Sequence, residues 1–228
     1  MQKHKIMIPT SGGTTVSGVV DVPEGYSSQP GTGIILAHGA GNDMHSPMLA
    51  ALAEALCGAG SLVLRFNFPY KEKGRKAPDR MPVLINTWEA VSLFLRGHRD
   101  WAPRRIVAAG KSLGGRAASM ASAVGRLSVD RLVFFGYPLH PPGRKDKLRD
   151  AHLYGIEVPM LFFVGTRDPL CDLSLLHRVL DRLNSPYDLE IVSGGDHSFH
   201  MLKSSGLAPD EVWGRLARRT AAWLEGNG

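Results

Sequence analysis

At 228 residues, 43% hydrophobic and 21% charged, the chain has the composition of a globular protein and not of a disordered segment. No apolar run approaches the ~20 residues of a membrane span, and the opening Met-Gln-Lys-His-Lys-Ile-Met-Ile lacks the ~7–15 apolar residues of a secretory leader. The net charge of +6 comes without a Lys/Arg block, zinc-finger spacing or aromatic-basic motif, which argues against a nucleic-acid partner.

Short β-branched runs alternate with longer Ala/Leu-rich segments, the pattern of a mostly parallel sheet covered by helices. Residues 4–8 and 16–22 flank Ser11-Gly12-Gly13-Thr14-Thr15 and predict an opening β-hairpin. Residues 32–38 form a near-continuous apolar strand. A helix over 47–59 follows, with Ser46 as N-cap, Pro47 in the first turn, and Gly58 and Gly60 at its end. Residues 61–67 predict another strand, leading through a Lys/Arg/Pro/Gly-rich loop to a helix over 82–97. Then come a strand at 105–110, a small-residue helix at 113–125, and strands at 130–136 and 159–165. A helix at 172–184, a last strand at 188–193 and an amphipathic helix at 209–225 close the chain. With no repeat or linker, residues 1–228 read as a single domain. The stretch from Tyr137 to Val158 is short and rich in Pro, Lys and Arg, so no large cap is expected over the strand ends.

Gly110-Lys111-Ser112-Leu113-Gly114 matches the Gly-x-Ser-x-Gly nucleophile elbow, between an apolar strand and a plausible helix. A serine on so sharp a turn is lifted clear of the sheet beside a helix N-terminus, where free N–H groups can hold an oxyanion. Gly110 and Gly114 let neighbouring chains approach closely. A hydroxyl needs a base, and in this arrangement the partners follow in the order Ser, acid, His. After the strand ending at Gly136 the chain reads Tyr-Pro-Leu-His, with no acid; after the strand ending at Gly165 comes Asp168. Asp172 is more simply the cap of the next helix. The last strand runs into Gly194-Gly195-Asp196-His197-Ser198-Phe199-His200, making His197 the expected base and His200 its rival.

The loop His38-Gly39-Ala40-Gly41-Asn42-Asp43 follows the third strand. Ala40 N–H and Leu113 N–H are the expected oxyanion donors, with Gly39 and Gly41 shaping the turn and His38 a structural hydrogen-bonding residue. Asn42, Asp43, Met44, Tyr70, Tyr137 and Phe199 are candidate substrate contacts, with His45, Phe68 and Leu139 nearby; the aromatic and aliphatic ones can equally pack under the loops. No His/acid cluster has metal-ligand spacing and no Gly-rich phosphate fingerprint occurs, so neither a metal nor a cofactor is expected. The two cysteines, Cys57 and Cys171, read as reduced thiols, which fits a cytoplasmic setting.

Together, His38-Gly-Ala-Gly, Gly110-Lys-Ser-Leu-Gly-Gly-Arg, Gly165-Thr-Arg-Asp and Gly194-Gly-Asp-His-Ser resemble the α/β-hydrolase superfamily. Arg65-Phe-Asn-Phe-Pro-Tyr70 and Tyr137-Pro-Leu-His-Pro-Pro-Gly143 narrow the resemblance to a branch near the dienelactone-hydrolase-like proteins. That branch includes bacterial predicted hydrolases, a testis-expressed human protein and a chromatin acetyltransferase complex subunit. The resemblance spans about residues 5–225 and implies a three-layer α/β-hydrolase fold. It implies an eight-stranded, mostly parallel sheet with the second strand antiparallel, helices on both faces, and triad roles for Ser112, Asp168 and His197. True dienelactone hydrolases carry a cysteine nucleophile where this chain has Ser112, so their specificity is not implied.

The expected chemistry is acyl transfer on a small-molecule carboxylic ester or thioester, through an acyl-enzyme on Ser112. The alternatives are a non-catalytic binding module on the same fold, and an acyl-peptide hydrolase. Lys71, Lys73, Arg75, Lys76 and Arg80 follow one strand end, and Arg144, Lys145, Lys147 and Arg149 another. They suggest a substrate with an anionic group, or else solvated basic loops.

Overall fold

The computed structural model describes residues 1–11, 13–26 and 31–226. Eight strands form one sheet in the order β1-β2-β4-β3-β5-β6-β7-β8. They are β1 (Gln2–Pro9), β2 (Thr15–Val22), β3 (Thr32–Ala37), β4 (Leu62–Phe66), β5 (Arg105–Lys111), β6 (Arg131–Phe135), β7 (Met160–Gly165) and β8 (Tyr187–Val192). β2 pairs antiparallel with both β1 and β4; every pairing from β4 to β8 is parallel. The expected hairpin turn includes Gly12, which lies outside the described residues.

Alternation along the strands sends successive side chains to opposite faces. Ile35, Ala108, Phe134 and Phe162 join one apolar cluster; Ile34, Leu36, Val107, Val133 and Phe163 join the other. The first is covered by α3 (Met81–Arg96), α4 (Leu113–Ala123) and α5 (Leu173–Leu180), the second by α1 (Pro47–Gly58) and α6 (Pro209–Glu225). Strands β3 to β7 are therefore buried on both faces, which is why they read as unbroken apolar runs and not as alternating ones.

Helix ends follow local chemistry. The Asp172 carboxylate accepts the Ser174 and Leu175 N–H groups at 3.0 and 3.1 Å, capping α5 as its sequence position predicts. Ser46 occupies the N-cap position of α1, but its hydroxyl makes no cap bond; Pro47 opens the helix instead. The basic loop after β4 contains one unforeseen helical turn, α2 (Pro69–Glu72), also opened by a proline. Helix α5 stops at Leu180, short of the expected 184. Between β6 and β7 the helical content is a single 3-10 turn, Leu153–Gly155, so nothing large covers the strand ends there.

A buried ion pair ties the antiparallel side of the sheet to the loop after β3. Arg65 on β4 donates to Asp21 on β2 at 3.0 Å and to the Met44 carbonyl at 3.1 Å. The Asn67 side chain accepts the Met44 N–H at 2.9 Å. Both residues belong to the stretch that carried the family resemblance; their work is to fix the loop of residues 38–46.

Candidate active site

The elbow is a steric construction. Ser112 sits between β5 and α4 with φ +50° and ψ −113°, a backbone conformation few L-residues adopt. A Cβ on Gly110 would lie 2.2 Å from the Gly115 nitrogen, and one on Gly114 would lie 2.7 Å from the carbonyl oxygens of Ala37 and His38. Only glycine lets the helix start this close to the strands. The turn is pinned by Ser112 N–H donating to Phe135 O at 3.2 Å and by the Trp88 indole donating to Gly114 O at 3.1 Å.

Ser112 Oγ lies 2.8 Å from His197 Nε2, and His197 Nδ1 lies 2.7 Å from Asp168 Oδ2. Asp168 is buried, and its other carboxylate oxygen accepts Leu170 N–H at 2.8 Å. The acceptor-only carboxylate places a proton on Nδ1, which leaves Nε2 free to accept from the serine hydroxyl. His200, the rival base, is exposed, with its ring 3.5 Å from the Asp196 carboxylate.

The loop bearing His197 is stitched in place. Asp196 Oδ1 accepts the N–H groups of Ser198 and His200 at 2.8 and 2.9 Å, and Trp213 on α6 donates to Ser198 O at 3.2 Å. Burial disfavours the Asp196 anion, but these N–H groups and the His200 ring outweigh it and hold its carboxyl below the usual range. The acid loop is joined to it: Arg167 N–H donates to Gly195 O at 2.9 Å and Gly194 N–H to Thr166 Oγ1 at 2.8 Å.

Beside the elbow, Gly39 is buried against it, where an added Cβ would sit 3.4 Å from Ser112 Cβ; Ala40 is exposed and Gly41 has φ +78°. Among the described residues neither Ala40 N–H nor Leu113 N–H has a protein acceptor, and Leu113 opens α4, where helical N–H groups lack intrahelical partners. His38 is fully buried. Burial pushes its pKa down to about 4 against the opposing hydrogen bond to Gly39. The neutral ring donates from Nδ1 to Gly39 O at 2.9 Å and accepts Phe68 N–H on Nε2 at 3.2 Å, a structural role.

The candidate substrate contacts divide. Asn42 is exposed and Asp43 half-buried on the loop beside Ala40. Phe68, Tyr70, Tyr137, Leu139 and Phe199 are buried at 0–1% exposure and pack beneath the loops; Met44, also buried, edges an open cavity with His45, Ile6 and Val19 on the antiparallel side of the sheet. Following the strands, the first five residues close the ends of the core, and full burial of each large apolar side chain contributes on the order of 2 kcal/mol.

Lys111, which the elbow motif treats as a variable position, is 6% exposed. Burial pushes its ammonium down to about 8, while the Asp168 and Asp196 carboxylates pull the other way. The described residues hold no cluster of three or more His, Cys, Asp or Glu suited to a metal ion, and no helix among them is long and apolar enough to cross a membrane.

The sequence pattern of the family described as "Alpha/beta hydrolase domain" matches residues 30–225. The chain belongs to the α/β-hydrolase family. A dienelactone hydrolase from Anabaena variabilis shares the fold with a TM-score of 0.79 and 21% identity, over 98% of this chain and 96% of that one. A serine hydrolase without a lid from Xanthomonas campestris does so at 0.76 and 21%, over 100% and 98%. Among curated relatives, proteins named provisionally as phosphoribosyl transferases in two Mycobacterium tuberculosis strains are 31% identical over 191 residues. That alignment covers 83% of this chain but only 40% of those proteins, so the chain spans less than half the length of the curated relatives it matches.

Proposed function

We propose that this α/β-hydrolase-family chain is a serine hydrolase that cleaves carboxylic esters or thioesters through an acyl-enzyme. The observation that carries the reading is the continuous relay from Ser112 Oγ through His197 to Asp168, at 2.8 and 2.7 Å. Ser112 Oγ attacks the acyl carbonyl as its proton passes to His197 Nε2; the Ala40 and Leu113 N–H groups hold the oxyanion. His197 then gives the proton to the leaving alcohol or thiol as the carbon–heteroatom bond breaks. In the second half His197 takes a proton from water, the hydroxide attacks the acyl carbon, and Ser112 leaves reprotonated. Asp168 holds the imidazole in the Nδ1–H tautomer and stabilises its cationic form.

The short 137–158 connection supports small soluble acyl substrates reaching an uncapped site. The buried free thiols Cys57 and Cys171 fit a reducing, cytoplasmic setting. A Ser–His–Asp relay suits acyl and not ribosyl transfer, which sets this reading apart from the transferase name of the longer mycobacterial relatives.

The basic loops differ in how much free charge they bring towards Ser112. Arg75 pairs with Asp79, Arg144 with Asp146 and Lys145 with Asp172, which neutralises three of the basic-loop cations at the surface. The β4 loop is also separated from the elbow strand β5 by β3, whereas the β6 loop is adjacent.

The reading is tested by turnover of 4-nitrophenyl acetate and a short acyl thioester. Ser112→Ala is expected to lower kcat by roughly 10⁴-fold or more while leaving the fold intact. Undiminished turnover in that variant would overturn the assignment.

A further inference from the structure

Two arginines flank the elbow without an acidic partner. Arg116 lies one turn into α4, its N–H donating to Ser112 O at 3.0 Å, so its Cα sits about 6 Å along the helix axis from the serine. Arg149 lies on the loop after β6, the strand next to β5. Both are half-buried, unlike the exposed Arg144, Lys145 and Lys147. Arg116 Nε is buried with no acceptor among the described residues, and neither arginine forms an ion pair with a carboxylate among them.

A hydrogen-bond network holds both backbones. Ser119 Oγ donates to Arg116 O at 2.9 Å and Tyr137 OH donates to Arg149 O at 2.7 Å. Between these hydroxyls stands His152, whose Nε2 is 2.8 Å from Ser119 Oγ and 3.2 Å from Tyr137 OH. Each hydroxyl spends its one proton on a carbonyl, so His152 must donate from Nε2. Burial and the Arg116 charge push its pKa down to about 4, which keeps the ring neutral. Arg149 also donates through its N–H to Leu139 O at 2.8 Å and through Nη1 to Pro138 O at 3.3 Å. Asp150, next to Arg149 in the chain, is engaged by Tyr154 OH at 2.6 Å.

The two guanidinium groups are near enough for burial and the Arg149 charge together to push the Arg116 pKa below its usual range. A fold that fixes two like charges in a half-buried place and leaves donors open loses energy unless an anion joins them. Planar forked donors match carboxylate and phosphate oxygens two at a time.

We propose that Arg116 and Arg149 form an anion-binding subsite beside Ser112 that takes the carboxylate or phosphate of an acidic ester or thioester. This rests on the serine-hydrolase reading for its substrate class, but the subsite itself can be measured without turnover. The direct test is calorimetric titration of the Ser112→Ala protein with glutarate and, separately, with inorganic phosphate at low salt. Saturable binding is expected, weakened tenfold or more by Arg116→Gln and by Arg149→Gln and unaffected by Lys147→Gln; the tighter of the two ligands identifies the anion class. In the wild type, the 4-nitrophenyl half-esters of succinate and glutarate are expected to show a lower KM than 4-nitrophenyl butyrate. That preference should fall about tenfold in Arg116→Gln, mainly through KM. Binding of neither anion, or binding that Lys147→Gln weakens as much as the arginine variants do, overturns the subsite. Anion binding without turnover of any ester removes the hydrolase reading and leaves the subsite standing.

Discussion

Ser112 and Phe199 are the two non-glycine residues with left-handed φ among the described residues, at +50° and +63°, and they sit on the two loops that face each other across the site. At Ser112 the strained turn belongs to regular structure on both sides. A strand ends, a helix begins, and the hydroxyl is left half-buried where it can react. At Phe199 the strain turns a ring inward: the side chain is fully buried in the cluster beneath α6, and the loop carrying His197 is drawn down with it. Both loops rest on main-chain contact that tolerates no Cβ, at Gly110 and Gly114 under the elbow and at Gly136 and Gly165 against the histidine loop; the histidine loop adds the side-chain anchors Asp196, Phe199 and Trp213. Strain in the first presents the proposed nucleophile and in the second accompanies the placement of its proposed base.

Substitutions at each loop separate the two kinds of strain. Gly114→Ala forces a Cβ to within 2.7 Å of two carbonyl oxygens of the neighbouring strand end. Neither backbone can retreat, so a stability loss of more than about 4 kcal/mol is expected by urea denaturation; a loss below ~1 kcal/mol would show that the elbow is pliable. Phe199→Ala keeps the strained φ and empties the anchor, at an expected cost of about 3 kcal/mol together with a fall in kcat. Phe199→Gly empties the same space without the strain and is expected to be more stable than the alanine variant by about 1 kcal/mol. Equal stability of the two would mean that the left-handed turn costs nothing here.

The third test is the response to acid. His38 lies under the loop beside the elbow and is held near a pKa of about 4 by burial, against 6.5 for the ordinary side chain. Between those values the unfolded chain binds a proton that the folded protein refuses, so stability is present above pH 6.5 and is lost as pH falls towards 4. His152 adds a loss of the same sign. His38→Asn keeps a donor near Gly39 but cannot titrate, and is expected to reduce the acid-induced loss by about 2 kcal/mol. Denaturation curves at pH 7, 5.5 and 4 check it; an unchanged slope would contradict the neutral, structural role.

The same contrast explains what was legible in the sequence. The doubly covered strands appear as apolar runs because both faces are buried, and the elbow appears as a motif because its constraints are local, glycines two residues either side of Ser112. Asp168 and His197 could be expected from chain order and from the absence of an acid after Gly136, and the structure brings both within hydrogen-bond distance of their partners. The anchors could not be read. Trp213 meets Ser198 from fifteen residues away, and Arg116 looks like one more charge on a small-residue helix until the fold brings the Arg149 charge within its influence. Lys111 was hidden in the variable position of the motif. For the aromatic residues after the strands the sequence leaves pocket and core both open, because a ring following a strand can point either way; burial places Phe68, Tyr70, Tyr137 and Phe199 in the core.

The most direct measurement of the central claim is covalent labelling of the purified protein with a fluorophosphonate, read by intact mass and peptide mapping. A serine activated by the His197–Asp168 pair predicts a single adduct on Ser112 that is lost in His197→Ala. A folded protein that stays unlabelled, or an adduct that persists undiminished without His197, would contradict the account.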